Sequence, residues 1–492
     1  MITRTACFFA VLFALFLPAC TTPIPDDLPP TDVVPSAEQL AYQQMEYIGF
    51  VHFTVNTFTD REWGYGDEKN TVFNPTAFDP DQWARVAAEA GMKELILTAK
   101  HHDGFCLWPS RYTEHSVKNS RWQDGAGDVV GAFAAAARAH GLKVGLYLSP
   151  WDRNHAEYGT PAYLEYYHNQ LRELLTDYGD ITEVWFDGAN GGDGYYGGAR
   201  EERRIDRETY YRWDETWGLV KSLQPSTLIF SDAGPDIRWM GNENGFAGQT
   251  NWSTINSDSI IVGAADEAYL NTGDPKGERW VVPLCNTSIR PGWFYHESQD
   301  DQVKPLKDLL EVYYKSVGRN CVLLLNVPPD KRGLFHENDV AALMEFRRVL
   351  DETFAVNLAA GHPVEANEHR RQHPMFAPEH LVDDDPDTYW AANDNTVTAE
   401  LEIDLGAPVI FDRILLQEPI RFGQRVAAFS IQARTDGAWS VVGRGTTIGY
   451  KCLLRIPPVM ADRVRIRIED ALDVPALSNF GLFKASLAEE GS

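Results

Sequence analysis

Asp187 is the carboxylate of this chain whose surroundings best suit catalysis. It closes an apolar, strand-like run at residues 183–190, EVWFDGAN, and Gly188 behind it permits a sharp exit into a loop. Thr182, Val184 and Phe186 alternate with Glu183, Trp185 and Asp187, so a strand here turns Trp185 and Asp187 to one side. In a parallel barrel the C-terminal end of that strand faces the active site. A capping aspartate in a strand-to-helix turn is the plainer account of a lone Asp-Gly.

Further apolar runs share this form and define the elements that would carry such a residue. Residues 47–56 carry His52, residues 94–102 end in His101 and His102, and residues 143–151 carry Tyr147 and Trp151. Residues 227–232, 279–286 and 321–326 continue the series. Between several of them lie segments of helical composition with stop signals: 80–90 before Gly91, 129–140 before Gly141, 161–178 before Gly179, and 210–223 before Pro225. This alternation predicts an α/β fold, a (β/α)8-like (TIM) barrel. Residues 233–254 are rich in Gly and Asn and lack a helical pattern, so the barrel is expected to be irregular there.

From residue 357 onward the text changes to short alternating stretches at 399–405, 413–419, 427–435, 439–447 and 464–471, which predicts a C-terminal antiparallel β-sandwich. The expected division is a signal peptide at 1–19, a Pro-rich, solvated tether at 20–40, the barrel at 41–355 and the sandwich at 356–488. Arg4 precedes an apolar run at 6–17 that is too short for an ordinary membrane span, which marks an export signal. The run ends in Leu17-Pro18-Ala19-Cys20, which resembles a bacterial lipobox and implies lipid attachment at Cys20; plain signal-peptide cleavage is the alternative. Because Thr21 follows the cysteine, the lipobox resemblance implies an outer-membrane lipoprotein, periplasmic or surface-exposed.

Composition narrows the classes of partner. Lys and Arg total 44 against 71 Asp and Glu, a net charge of -27 that repels nucleic acid and anionic membrane surfaces. The only membrane contact expected is the N-terminal lipid. Fourteen Trp, twenty Tyr and twenty-four Phe suit sugar faces packing on rings, although core filling uses most such residues. Besides Cys20, the mature chain keeps Cys106, Cys285, Cys321 and Cys452, with no CxxC pair; a disulfide among them is left open. No metal is expected, because no His or Cys cluster has ligand spacing and the neighbours His101 and His102 point apart on a strand.

The motifs GFVHFTVNTFTDREWG (49–64), LTAKHHDGFCLWPS (97–110), GLYLSPWD (145–152), EVWFDGAN and GPDIRWMGNENG (234–245), in this order, resemble glycoside hydrolase family 29, the retaining α-L-fucosidases. By this resemblance Asp187 is the nucleophile and Glu243 the general acid/base. His52, Glu62, Trp63, His101, His102, Tyr147 and Trp185 match residues that hold the hydroxyls or the apolar face of fucose. GPDIRWMGNE with SIRPGWFYH (288–296) is similar to the subfamily acting on fucose linked 1,3 or 1,4 in branched, Lewis-type glycans. Arg290, Trp293 and His296 either line the site or its leaving-group side, or serve structure alone; Asp152 and Asn190 are open in the same way. Read without the resemblance, Glu243 is a loop carboxylate paired with Arg238, and Asp232 and Asp236 compete for its role.

Retaining hydrolysis requires one carboxylate to attack the anomeric carbon and a second group to protonate the departing oxygen, with the carboxyls about 5 Å apart. No cofactor is needed. The C-terminal region, with LVDDDPDTYWAA (381–392), resembles the coagulation-factor-type C domain, also called carbohydrate-binding module family 32. That resemblance suggests a structural calcium in residues 383–388; an acidic surface turn explains the same aspartates. Two rival functions are another retaining barrel glycosidase, such as an α-galactosidase, and a non-catalytic glycan-binding lipoprotein.

Overall fold

The structure is a computed structural model that describes residues 27–490. Eight parallel strands close into a barrel: β1 Tyr47–Val51, β2 Glu94–Lys100, β3 Lys143–Leu148, β4 Glu183–Trp185, β5 Leu228–Ser231, β6 Ile237–Trp239, β7 Val282–Ser288 and β8 Val322–Asn326. Pairing of β1 with both β2 and β8 shuts the ring. Strand alternation separates two cores. Ile48, Phe50, Ile96, Tyr147, Trp185 and Phe230 fill the interior, whereas Tyr47, Val51, Leu95, Leu97, Val144 and Val184 pack outward.

After α1 (Ala37–Gln43) come α2 Pro80–Glu89, α3 Val129–Ala139, α4 Pro161–Asp177, α5 Trp213–Leu223, α6 Leu306–Lys315 and α7 Glu337–Thr353. Four of these, α2 to α5, lie where composition and stop signals place them, and α1, α6 and α7 join them. Asp79 and Asp128 cap α2 and α3 by accepting from first-turn N–H groups, which would otherwise lack partners. The expected irregularity has a definite form. β5 and β6 are parallel neighbours joined by residues 232–236 alone, with no crossover helix, and Phe230 pairs with Ile237. Parallel strands ordinarily need a dozen or more connecting residues. β6 itself escapes a reading for strands because its three residues are set among Gly, Pro and Asn.

The floor of the barrel carries two buried carboxyl groups. Glu94 and Glu183 open β2 and β4 and flank Gly145 of β3, in the layer below Ile96 and Trp185. Tyr42 of α1 donates to Glu183 Oε2 at 2.7 Å, and Gln39 donates to the Trp280 carbonyl at 2.8 Å, so α1 plugs this end. Both Glu94 oxygens and Glu183 Oε1 are buried without a partner among the described residues. Burial pushes Glu183 up to about 8, and burial together with Glu183 holds Glu94 well above the carboxylate range.

Residues 1–26, with the expected signal peptide and Cys20, lie outside the described residues. From residue 27 onward the expected solvated tether is instead packed: Leu28 is buried in the C-terminal core, the Thr31 N–H donates to the Phe422 carbonyl at 3.0 Å, and Ser36 caps α1. The reason is burial: Leu28 adds apolar area to that core and the backbone finds partners there. Among the described residues no helix is long and apolar enough to cross a membrane.

The C-terminal domain is an antiparallel sheet of β9 Val364–Ala366, β10 Ala399–Gln417, β11 Val426–Thr435, β12 Ala438–Gly445, β13 Cys452–Ala471 and β14 Asn479–Phe483, in the order β9-β10-β13-β11-β12 with β14 on β10. Where short sandwich strands were expected, β10 and β13 run for 19 and 20 residues. Their pairing shifts register after Asp404 and after Phe411, and such irregularities let one strand bend and serve both sides of a core. Leu401 and Ile403 before these shifts share that core with Ile414 and Leu416 after them. In the 383–388 turn, the Asp383 carboxylate accepts from the Asp385 N–H, the Thr388 hydroxyl and His380. No group of three or more His, Cys, Asp or Glu side chains is arranged to hold a metal among the described residues. Cys106, Cys285, Cys321 and Cys452 are buried free thiols.

The floor carboxyls give a pH test. Because folding raises their pKa values, the folded state loses stability as pH rises from the unfolded value, near 4.5, through about 8 for Glu183. Glu94→Gln is expected to raise the melting temperature more at pH 8 than at pH 5; equal shifts at both pH values count against this account.

Candidate active site

Strand ends and the loops after them converge on one cavity lined by His52, Trp63, His101, His102, Trp185, Asp187, Glu243 and Trp293, with Phe50, Ala189 and Asn286. His52 and Trp63 follow β1, His101 and His102 follow β2, Trp185 and Asp187 belong to the end of β4, Glu243 follows β6, and Trp293 follows β7. The floor beneath is aromatic: Trp185 stacks on Phe230 with ring centres 3.9 Å apart and planes within 4°, and Tyr147 packs on Trp185 at 5.5 Å.

Asp187 is held on both oxygens. Tyr147 donates its hydroxyl to Oδ2 at 3.2 Å, and the Ala189 N–H donates to Oδ1 at 2.6 Å. The latter is the Asp-Gly turn that the sequence suggests, and Asn190 extends it by donating to the Gly188 carbonyl at 2.7 Å. Gly188 has no substitute here. A Cβ on it would lie 2.4 Å from Asp232 Oδ2. Asp232 accepts from the Gly263 N–H at 2.7 Å and fastens the 263 region against the turn.

Glu243 stands exposed at the rim of the cavity. Asn242 forms the turn beneath it, donating to the Met240 and Phe246 carbonyls and accepting from the Asn244 and Phe246 N–H groups. Trp293 donates its indole N–H to Glu243 Oε2 at 3.2 Å. The alternative pairing with Arg238 is absent: that buried guanidinium is spent on the Leu270, Val281 and Trp252 carbonyls and Asn251. Asp236 also faces elsewhere, accepting from the Ile229 N–H and pairing with Lys221 at 2.8 Å.

Three residues expected at the sugar make contacts within the protein that the sequence did not show. Both oxygens of Glu62 are occupied: Oε2 accepts from the Trp293 N–H at 2.8 Å, and Oε1 from the Phe294 N–H and from His296 at 2.6 Å. Gly292 allows this approach, since a Cβ there would lie 2.4 Å from Glu62 Oε1. Arg290 is buried, bridging Asp339 at 2.9 Å and Asp300 at 2.8 Å, and it lines an adjacent pocket rather than the Asp187 cavity. Tyr147 lies below the cavity and reaches it through Asp187. His296 sits between Asp60 and Glu62, and Asp152 forms a buried pair with Lys100 at 3.2 Å.

The sequence pattern described as alpha-L-fucosidase matches residues 33–352, and that of the F5/8 type C domain matches residues 363–478. The chain belongs to the alpha-L-fucosidase family. It is 44% identical over 455 residues to alpha-L-fucosidase 1 of Arabidopsis thaliana, covering 92% of this chain and 87% of the relative. A glycoside hydrolase 29 family member from an unknown rumen bacterium superposes with a TM-score of 0.84 at 45% identity, over 93% of this chain and 78% of that one. A Ruminococcus gnavus GH29 fucosidase solved in complex with fucose gives 0.84 at 32% identity, over 95% of this chain and 98% of that one.

Electrostatics in the fucosidase cavity favour neutral imidazoles. Burial pushes His52 and His102 down to about 3, and burial with the other two imidazoles holds His101 well below the usual histidine range. The hydrogen-bond network assigns two tautomers. Asn326 spends its amide on Ser288 and the Trp293 carbonyl, so its Oδ1 accepts from His52 Nδ1–H at 2.8 Å. Ser149 donates to the Trp151 carbonyl, so its oxygen accepts from His102 Nδ1–H at 2.7 Å. Each histidine therefore keeps Nε2 as an acceptor for a hydroxyl. His101 Nδ1 and Trp185 Nε1 are buried and lack partners among the described residues.

Asn286 and Asn326 are the site residues that the motif reading passed over. Asn286 lines the cavity and accepts from Trp239 at 2.9 Å, and Asn326 orients His52. Their signal was present, since each closes one of the apolar runs read from the sequence, 279–286 and 321–326. Glu62 yields a prediction. Glu62→Ala frees the Trp293 N–H and His296 together, and is expected to lower kcat/KM on an aryl fucoside by on the order of 10- to 100-fold, the cost of losing a charged hydrogen-bond acceptor. Unchanged kinetics would remove Glu62 from the support of Trp293.

Proposed function

We propose that this α-L-fucosidase releases terminal α-linked L-fucose with retention, Asp187 acting as nucleophile and Glu243 as acid/base, on fucose linked 1,3 or 1,4 in branched glycans. One observation carries the mechanism: two carboxylates in unlike settings line a single cavity. Asp187 is fixed by Tyr147 and Ala189 below the rim, ready to attack along one line. Glu243 is held by a single donor, Trp293.

Although the rim leaves Glu243 open to solvent on one side, the cavity walls partly desolvate its carboxyl and raise it, and Asp187 and Glu62 add to the rise against the Trp293 hydrogen bond. The rise favours the protonated acid needed to donate to the leaving oxygen. Attack by Asp187 breaks the glycosidic bond, joins the anomeric carbon to the carboxylate and removes the Asp187 charge. Glu243 has then given up its proton and can take one from the incoming water, which displaces Asp187 and restores the original configuration. Burial also raises Asp187 itself, so activity falls at low pH as Asp187 takes up a proton and at high pH as Glu243 loses one.

The neutral His52 and His102, with Trp63 and Trp293 beside them, suit a neutral deoxy sugar with hydroxyl and C–H faces. A second pocket shares Glu243 and Trp293 with the first, which gives the leaving group a place beyond the acid/base. The linkage preference rests on the likeness of residues 234–243 and 288–296 to the branched-glycan subfamily.

Azide separates the two roles. In Asp187→Gly, azide fills the vacated space and attacks an activated α-fucoside directly, so the expected product is the β-fucosyl azide. In Glu243→Ala, the Asp187 ester still forms and azide displaces it, giving the α-fucosyl azide. Glu243→Ala is expected to lose on the order of 10²- to 10⁴-fold on natural substrates. The opposite pattern of azides would exchange the assignments. Free-fucose release from Lewis-type, 1,2-linked and 1,6-linked glycans tests the linkage. For location, the lipobox ending at Cys20 supports an outer-membrane anchor; Cys20→Ala is expected to move the protein from the membrane to the soluble fraction, and continued membrane association would overturn it.

A further inference from the structure

A cleft opens where the C-terminal domain meets the barrel. Its charged lining residues are Lys315, Arg319, Arg444 and Arg455, all cations, in a chain where acids outnumber bases 71 to 44. Compensation is partial. Arg455 and Lys315 share the one carboxylate of Glu311, the latter at 2.6 Å. Arg444 reaches Glu469 at 3.2 Å from an exposed position. Arg319 is half-buried, gives one N–H to the Ala247 carbonyl, and makes no ion pair among the described residues. The remaining lining is uncharged, with Gln249 and Thr447 among apolar side chains and backbone: the buried Tyr314 ring lies 4.8 Å from the Arg455 guanidinium, and β12 presents the unpaired edge of its sheet.

This cleft adjoins the pocket beyond Glu243. Glu311 lines that pocket and also holds Lys315 and Arg455 of the cleft. The two are joined along α6, whose ten residues span about 15 Å. A glycan arm leaving the catalytic cavity past Glu243 and running beside α6 arrives among cations with one carboxylate between two of them. The chain as a whole repels long polyanions, so a single oxyanion on an otherwise neutral saccharide fits better than a nucleic acid.

We infer that the cleft is a second glycan-binding site, taking a sulfate ester or a sugar carboxylate on the arm that leads away from Glu243. The direction of that arm rests on the function proposed above; the anion site itself does not. Arg319 and Arg444 supply the charge-assisted hydrogen bonds to the anion.

The test is calorimetry on the full chain with unfucosylated N-acetyllactosamine oligosaccharides ending in a sulfate ester, a carboxylated sugar or neither. At low ionic strength an anionic probe is expected to bind at least about tenfold tighter than the neutral parent, the advantage shrinking with salt. Whichever anion is preferred identifies the source. Arg444→Glu, an exposed change, and Arg319→Gln are each expected to erase the advantage while leaving kcat/KM on an aryl fucoside unchanged. Equal binding of neutral and anionic probes, or undiminished anionic binding in both variants, overturns the inference. Failure of the wild-type chain to hydrolyse the aryl fucoside would instead strike the proposed function and leave the binding result standing.

Discussion

Closure of eight parallel strands into one ring is the constraint on which the site depends. It sends every strand's C-terminal end to the same mouth, so side chains distant in sequence, His52, His102, Asp187, Glu243 and Trp293, become neighbours without any local signal linking them. Interior aromatic packing then sets the depth. Phe230, Trp185 and Tyr147, register neighbours on β5, β4 and β3, pack side by side beneath the mouth, and Tyr147 delivers its hydroxyl to Asp187. The nucleophile proposed here is thus positioned by the barrel core itself.

The five-residue join between β5 and β6 shapes the other half of the site. With no crossover helix between them, the chain makes its long excursion after β6 instead, and Glu243 sits near the start of it. An excursion of this kind needs outside support, because few of its residues belong to regular elements. The C-terminal domain supplies it: Thr446 meets Thr250 at 2.9 Å, Thr447 accepts from the Asn251 N–H at 2.9 Å, and Gln424 donates to the Asn251 carbonyl at 2.9 Å. The sheet domain therefore braces the loop carrying the proposed acid/base. Glu62 does the equivalent for Trp293, whose indole in turn meets Glu243.

Buried charge is used differently at the two ends of the barrel. At the mouth, carboxylates meet hydroxyl, indole and backbone donors, which keeps an ionised Asp187 tolerable. At the floor, Glu94 and Glu183 have a tyrosine between α1 and the strands and form no ion pair among the described residues, which favours their neutral forms.

Much was legible in the residues alone. Seven of the barrel strands, the four long helices between them and the switch to alternating strands near residue 357 follow from apolar period and from Gly and Pro stops, which are local properties of the chain. Long ordered motifs named the family and brought Asp187 and Glu243 forward as a pair. What stayed hidden is everything set by distant neighbours. β6 was too short to show a period. Residues 27–36 looked like a solvated tether because the core that buries Leu28 is built more than 300 positions later. That Glu62 accepts from a loop N–H and that Arg290 pairs with a buried aspartate could not be read from the type of either side chain. Sequence fixes which groups are available and which local shapes they favour; only the tertiary structure decides which of those groups face the cavity, because that depends on which partners the closed ring brings within hydrogen-bond reach.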